Sequence, residues 1–135
     1  MRKAALDIGD VRIGIATSDM MGIIASGYET YTRKGGEADY KYIAEFCRQK
    51  EVDTIVVGLP RNMDGTEGER AKLVRQFGEG LSAHTNARIV FWDERLTTAQ
   101  AERMLIEGGV RRDKRKQVID KVAATIILQS YLDSY

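Results

Sequence analysis

The sequence predicts an α/β fold, a mixed five-stranded sheet with helices on both faces, and three observations carry that reading. Residues 3 to 32 alternate and turn in the manner of antiparallel strands. Two short apolar runs follow, at 53–58 and 88–92, and segments with helical spacing surround them. A hairpin meander followed by βα units implies one sheet, antiparallel on one side and parallel on the other. At 135 residues the chain has the length of a single domain, residues 1–135, whose core needs neither disulfide nor metal.

Residues 3–8 form a buried strand, and Gly9-Asp10 reads as a tight hairpin connection. The return strand, about 12–18, alternates Ile13, Ile15 and Thr17 against Arg12, Gly14, Ala16 and Ser18. With a two-residue loop at Gly9-Asp10, Asp7 faces Arg12 across the hairpin, and opposed residues share a face. A third strand fits about 23–32, through Ile23, Ile24, Tyr28 and Tyr31. Ile43, Phe46 and Cys47 give helical spacing over 37–50, and Asp53 to Gly58 is a short apolar strand. The loop Leu59 to Thr66 carries the only proline and an Asp64-Gly65 turn signal. Ala71, Val74, Phe77 and Leu81 mark a second helix, whose end Gly78 and Gly80 are expected to weaken. Arg88 to Trp92 is another buried strand, ending in Asp93-Glu94. Thr97 to Gln100 fits a capping box, and that helix stops at Gly108-Gly109. A last helix covers about 117–133, completing the order βββ-α-β-α-β-α-α.

Composition narrows the function classes. Hydrophobic residues make up 43% and charged residues 30%, as in ordinary globular proteins. No apolar run approaches the ~20 residues that span a bilayer, and no signal-peptide pattern follows Met1-Arg2-Lys3. The lone Cys47 cannot form an internal disulfide, which fits a reducing, cytoplasmic setting. Its helical context makes it a core thiol. One cysteine and one histidine exclude zinc sites and Cys–His catalysis, and His84 lies in a polar connection expected to be exposed. Trp92 and Phe91 read as core. There is no Gly-x-x-x-x-Gly-Lys-Ser/Thr phosphate loop, and Ser18 and Ser26 lack a base partner for a hydrolase triad.

The net charge of +1 hides an asymmetry. Residues 111–116 hold five bases and one acid, and the rest of the chain holds sixteen bases against nineteen acids. Such a run is either a solvated loop or an arm that contacts phosphates.

Asp7 is the most informative residue. It sits in an apolar strand, Ala4-Ala5-Leu6-Asp7-Ile8-Gly9, and a buried carboxylate is costly unless paired, hydrogen-bonded or metal-bound. Capping of the following turn is the plain alternative. Asp93-Glu94 ends the fifth strand, and Asp120 lies in the first turn of the last helix among Val118, Ile119, Val122 and Ala123. Sites in α/β sheets collect beyond the carboxyl ends of parallel strands, so these acids can meet at one edge. Ala123 and Ala124, three and four residues on, let that helix approach the sheet closely. Clustered carboxylates ionise together only beside a cation, and hard divalent ions, Mg²⁺ or Mn²⁺, take such oxygen ligands. Two such metals about 4 Å apart hydrolyse phosphoesters. The strand end leaves open whether Asp93 or Glu94 joins Asp7.

Three further stretches complete a recognisable set. Asp7-Ile8-Gly9-Asp10-Val11-Arg12-Ile13-Gly14-Ile15-Ala16, Gly58-Leu59-Pro60 with Asn62-Met63-Asp64-Gly65, and Asp93-Glu94-Arg95-Leu96-Thr97-Thr98 resemble the signatures of the YqgF (RuvX) family. Asp120 followed by Lys121-Val122-Ala123-Ala124-Thr125-Ile126-Ile127-Leu128-Gln129-Ser130-Tyr131-Leu132 is similar to its last helix. The resemblance spans essentially the whole chain. It implies a ribonuclease H-like fold related to Holliday-junction resolvases, and a nuclease maturing the 5′ end of 16S ribosomal RNA. It also implies Asp7, Glu94 and Asp120 as catalytic metal-binding acids for a divalent metal, Mg²⁺ or Mn²⁺, with Arg12, Arg95 and Thr97 in signatures near the site. Gly58-Leu59-Pro60 departs from resolvases of this superfamily, which often carry a glutamate on the fourth strand.

The leading expectation is a two-metal nuclease on structured nucleic acid, with Arg111, Arg112, Lys114, Arg115 and Lys116 on flanking phosphates. Its partner is precursor ribosomal RNA or branched DNA, not a membrane, and it acts as a monomer or homodimer. A Holliday-junction resolvase, a non-catalytic ribosome-assembly or transcription factor, and an actin-like or sugar-kinase-like nucleotide domain are the alternatives. The last needs two such domains around its nucleotide, and this chain has one.

Overall fold

In a computed structural model, residues 1–62, 64–93 and 115–134 are described, with side chains except at 26–28 and 115–122. Five strands form one sheet: β1 (Arg2–Ile8), β2 (Arg12–Ser18), β3 (Ala25–Thr32), β4 (Val52–Leu59) and β5 (Arg88–Asp93), in the order β3-β2-β1-β4-β5. β1, β2 and β3 pair antiparallel, whereas β4 runs parallel to both β1 and β5. The helices among the described residues are α1 (Gly36–Gln49), α2 (Glu69–Ser82) and α3 (Arg115–Asp133). This is the expected mixed sheet with helices on both faces. β3 begins at Ala25 rather than at 23, because the backbone N–H groups of Ile23 and Ile24 donate to Asp19 Oδ1 at 2.7 and 3.1 Å. That carboxylate closes a loop through Gly22, whose φ of 71° is left-handed.

The period-two alternation of the strands sorts the core into two layers. Leu6, Ile13, Ile15, Ile55, Val57 and Leu59 pack under α1 and α2 with Ile43, Phe46, Val74, Phe77 and Leu81. Ala5, Ala16 and Val56 lie on the other face under Ala124, Ile127, Leu128 and Tyr131 of α3. Complete burial of a large aliphatic or aromatic side chain contributes ~1.5–3 kcal/mol, so the first layer carries most of the hydrophobic stabilisation. The second layer is thin because alanines let α3 come close.

Gly78 and Gly80 do not end α2, which continues through both to Ser82. A Cβ at Gly78 would lie 2.5 Å from the ring of Phe91, and one at Gly80 2.4 Å from the ring of Tyr40. The glycines give up about 1 kcal/mol each of helix propensity and allow two aromatic rings to seat against the helix backbone. Cys47 is buried as expected, and burial pushes its thiol up to about 12.

Candidate active site

β1 is the central strand, and Asp7 is its next-to-last residue. Ala4, Leu6 and Ile8 belong to the α1/α2 layer and Ala5 to the α3 layer, so alternation sends Asp7 to the α3 face. The carboxylate-bearing residue is half-buried and lies directly across from Gly14 on β2. On the other side, the register of Leu6 with Val57 brings Gly58 next along β4. Asp7 is thus flanked by residues without side chains.

The hairpin register differs from the expected one. Ile8 pairs with Ile13, and Gly9 N–H donates to the Arg12 carbonyl at 2.8 Å, so the connection is Asp10-Val11 and not Gly9-Asp10. A Cβ on Gly9 would lie 2.5 Å from the Arg12 carbonyl oxygen. This glycine serves a close approach inside the ladder rather than the turn. Arg12 therefore opposes Gly9, not Asp7. It keeps to Asp7's face as a diagonal neighbour, a separation of about 7–8 Å between backbones that a long side chain spans.

Two arginines that the sequence did not single out hold this hairpin tip. Arg33 Nη1 donates to the Gly9 carbonyl at 2.9 Å, and Arg70 Nη2 donates to the Ile8 carbonyl at 2.6 Å. Arg70 Nη1 also pairs with exposed Asp10. Arg33 Nε is fixed by Asp39 at 3.0 Å, and Asp39 is fully buried. Burial by itself would raise the Asp39 carboxyl, but donors outweigh it. The Lys34 N–H, the Arg33 guanidinium, the Tyr31 hydroxyl and the Gly35 N–H together hold it below the ordinary carboxylate range. Asp39 was legible in principle, because it falls four residues before Ile43 on the apolar stripe of α1. Arg33 and Arg70 have no such signal.

At the neighbouring strand ends, Leu59 pairs with Asp93. Trp92 packs with the α3 layer and Phe91 with the α1/α2 layer, so Asp93 turns to the face away from Asp7. There Arg61 reaches Asp93 at 3.9 Å and Glu67 at 3.8 Å. Glu67 also accepts two hydrogen bonds from Arg75, at 2.6 and 2.8 Å. Those bonds, more than the Arg75 and Arg61 charges, hold its carboxyl below the ordinary range against some desolvation. The preceding loop is a built turn: Asn62 N–H donates to the Thr66 carbonyl at 2.8 Å, Thr66 N–H donates to Asp64 Oδ1 at 3.0 Å, and Gly65 adopts φ 88°. The Asp64-Gly65 turn signal is borne out.

Asp120, Arg115 and Lys116 lie in the first turns of α3, and their side chains fall outside the described set. Asp120 precedes Ala123 and Ala124, both buried against the sheet, by three and four residues. Glu94, Arg95, Thr97, Arg111, Arg112 and Lys114 lie outside the described residues, as do the capping box at Thr97 to Gln100 and the Gly108-Gly109 stop. Among the described residues no three acid, histidine or cysteine side chains come together as a metal site. No helix among them is long and apolar enough to cross a membrane. His84 is half-buried rather than exposed, because its Nδ1 lies 3.0 Å from the Gly80 carbonyl and its ring 5.4 Å from that of Tyr40. Trp92 is partly buried, edge-on to Tyr131, with Nε1 donating to Ser130 Oγ at 3.1 Å.

The family profile described as RuvX, Holliday junction resolvase, matches residues 1–134. The chain belongs to the RuvX family. A protein of Caldanaerobacter subterraneus subsp. tengcongensis is 54% identical over 135 residues, covering 99% of this chain and 97% of that one. One from Clostridium botulinum (strain Hall) is 51% identical over 134 residues, covering 99% and 98%. Both carry the name "Putative pre-16S rRNA nuclease". Among solved structures, the fowlpox virus Holliday junction resolvase aligns with a TM-score of 0.58 at 14% identity, covering 100% of both chains. Thermus thermophilus RuvC in complex with a Holliday junction aligns with a TM-score of 0.59 at 12% identity, covering 98% of this chain and 96% of that one. At those identities the likeness is one of fold, and the RuvX chain has the ribonuclease H-like architecture that its element order implies.

Proposed function

We propose that this RuvX-family chain is a metal-dependent nuclease that hydrolyses phosphodiester bonds in structured nucleic acid, with precursor 16S ribosomal RNA as its substrate. The observation that carries the reading is Asp7. It is next to last on the central strand, on the face that α3 covers, opposite a glycine. Glu94 and Asp120 join Asp7 as the acidic set. Asp93 is the weaker choice, since it turns to the other face and lies against Arg61. Asp120 is favoured by its place one turn before the alanines that pack on the sheet.

This donor set fits a hard divalent cation, Mg²⁺ or Mn²⁺, because every member offers oxygen and the Gly14 rung leaves room beside it. Such cations, two in the resolvase-like reading, supply an activated water and a stabilised leaving oxygen at a phosphoester. The chain's own part is to hold the carboxylates rigidly and to orient the strand. Arg12, on Asp7's face, together with Arg95 and Thr97, contacts the phosphate backbone, and Arg111, Arg112, Lys114, Arg115 and Lys116 contact flanking phosphates. The protein works as a single domain in the cytoplasm.

Branched DNA is the second substrate reading, favoured by the family's description as a Holliday junction resolvase. Precursor ribosomal RNA and a four-way DNA junction, incubated side by side with Mg²⁺, Mn²⁺ or chelator, decide between them. Metal-dependent cleavage of the RNA alone is expected. Cleavage of the junction alone replaces the substrate, and no cleavage of either removes the nuclease reading.

A further inference from the structure

A pocket of about 190 Å³ opens beside the hairpin tip on the α1/α2 side, lined by Ile8, Asp10, Arg33, Tyr40, Arg70 and Phe77, among others. Two guanidinium groups from different elements converge on it, one following β3 and one from α2. Each is held in place by its contacts to strand carbonyls and carboxylates, yet each keeps N–H groups free of those contacts. Arg33 uses Nε and Nη1, which leaves Nη2, and Arg70 uses Nη1 and Nη2, which leaves Nε. The Arg33 guanidinium also stacks over the Phe77 ring, 5.3 Å from its centroid. An arginine fork held in this way is suited to an oxyanion.

One anion already occupies part of that position. The Asp10 carboxylate sits on Arg70, but its side chain is 83% exposed on a two-residue turn. Exposed ion pairs of this kind are weak, so a better acceptor displaces Asp10 at little cost. The volume indicates which acceptor. Sites that enclose a drug-sized ligand run to about 300–1,000 Å³, and 190 Å³ suits one phosphate with part of its sugar rather than a free nucleotide. Ile8 and Asp10 follow Asp7 at the end of β1 and in its turn, so the pocket opens at the same end of the sheet as the acidic edge, on the other face.

We propose that this pocket is a phosphate subsite that grips the nucleic-acid strand beside the cleavage site, with Arg70 and Arg33 as its donors and Asp10 as a resident competitor. The polymer identity rests on the nuclease reading above. Phosphate binding itself does not.

The test is binding without chemistry: a fluorescent single-stranded oligoribonucleotide titrated against the full chain in chelator at several salt concentrations. Arg70→Gln is expected to weaken binding severalfold and to lower the log–log salt slope by about 0.7, the loss of one single-strand phosphate contact. Asp10→Asn is expected to strengthen binding, an opposite sign that damage to the fold does not produce. Arg48→Gln, on an exposed helix face, serves as the control and leaves binding unchanged. Inorganic phosphate is the second probe, followed through the Arg70 Nε–H resonance. Unchanged affinity in both Arg70→Gln and Asp10→Asn overturns the subsite while leaving the nuclease reading intact. A phosphate-shifted resonance with unchanged oligonucleotide binding overturns the strand assignment in favour of a free anion. A wild-type chain that binds no oligonucleotide overturns both the subsite and the nucleic-acid reading.

Discussion

The two faces of the sheet are built for different purposes. Under α1 and α2 the strands present Leu6, Ile8, Ile13, Ile15, Ile55, Val57 and Leu59, branched side chains that interlock with Phe46, Phe77 and Leu81. Under α3 the same strands present Ala5, Gly14 and Ala16, with Val56 the larger exception. One face is thick and its burial stabilises the fold. The other is thin, and its helix rides close to a strand that ends in a carboxylate. Small residues on a central sheet face mark where backbone and charge must approach, and large ones mark where the chain is held together.

The sharpest way to test this contrast is to remove chemistry from the thin face. Asp7→Asn keeps volume and removes a charge, so cleavage is expected to fall to background while circular dichroism and the urea midpoint stay near wild type. Glu94→Gln is expected to follow it, whereas Asp93→Asn retains most activity; equal losses at 93 and 94 would break the choice of Glu94 over Asp93. Removing bulk from the thick face gives the converse. Leu6→Ala, one residue from Asp7, is expected to cost about 2–5 kcal/mol of stability, read from urea unfolding, with turnover per folded molecule preserved.

Asp39 tests the contrast by pH. Its folded pKa lies below its unfolded value, because its donors outweigh burial. Its contribution is therefore complete above the unfolded value near ~4 and disappears as pH falls through the folded one. Asp39→Asn is expected to cost about 1.5–3 kcal/mol at neutral pH, the range for hydrogen bonds to a charged group. The gap to wild type begins to close as pH falls below the unfolded value and is gone only once pH has passed below the lower, folded one. A gap that is constant from pH 7 to strongly acid conditions would show that the charge is not what stabilises the fold. The smallest effect belongs to the basic run. Changing Arg111, Arg112, Lys114, Arg115 and Lys116 to Gln is expected to flatten the salt dependence of RNA binding and leave saturated turnover nearly unchanged. An unaltered slope would mean that the run is merely solvated and makes no phosphate contacts.

The sequence was most readable where period and polarity agree. The meander, the two parallel strands and the helices over 36–49 and 69–82 follow from alternation and from spacing of three to four. It was least readable where one backbone contact decides the outcome. Gly9 looks like a turn residue, yet its lack of a Cβ serves the approach of the Arg12 carbonyl, and the partner of Arg12 moves two residues along β1, from Asp7 to Gly9. Gly78 and Gly80 look like helix breakers because the rings that need their space come from elsewhere in the chain. Asp7 stood out because it interrupts an apolar run. Arg33 and Arg70 did not, because an arginine on a loop or helix surface is ordinary until the carbonyls of Ile8 and Gly9 are seen to meet it.

The thiol of Cys47 has a practical consequence. It is the chain's only cysteine, buried on the inner side of α1 and kept protonated by burial, whereas reagents attack the thiolate. The intact fold therefore offers a maleimide or disulfide reagent almost nothing to react with. Modification is expected to follow openings that expose the thiol, so labelling followed by mass spectrometry reports how often the layer under α1 opens.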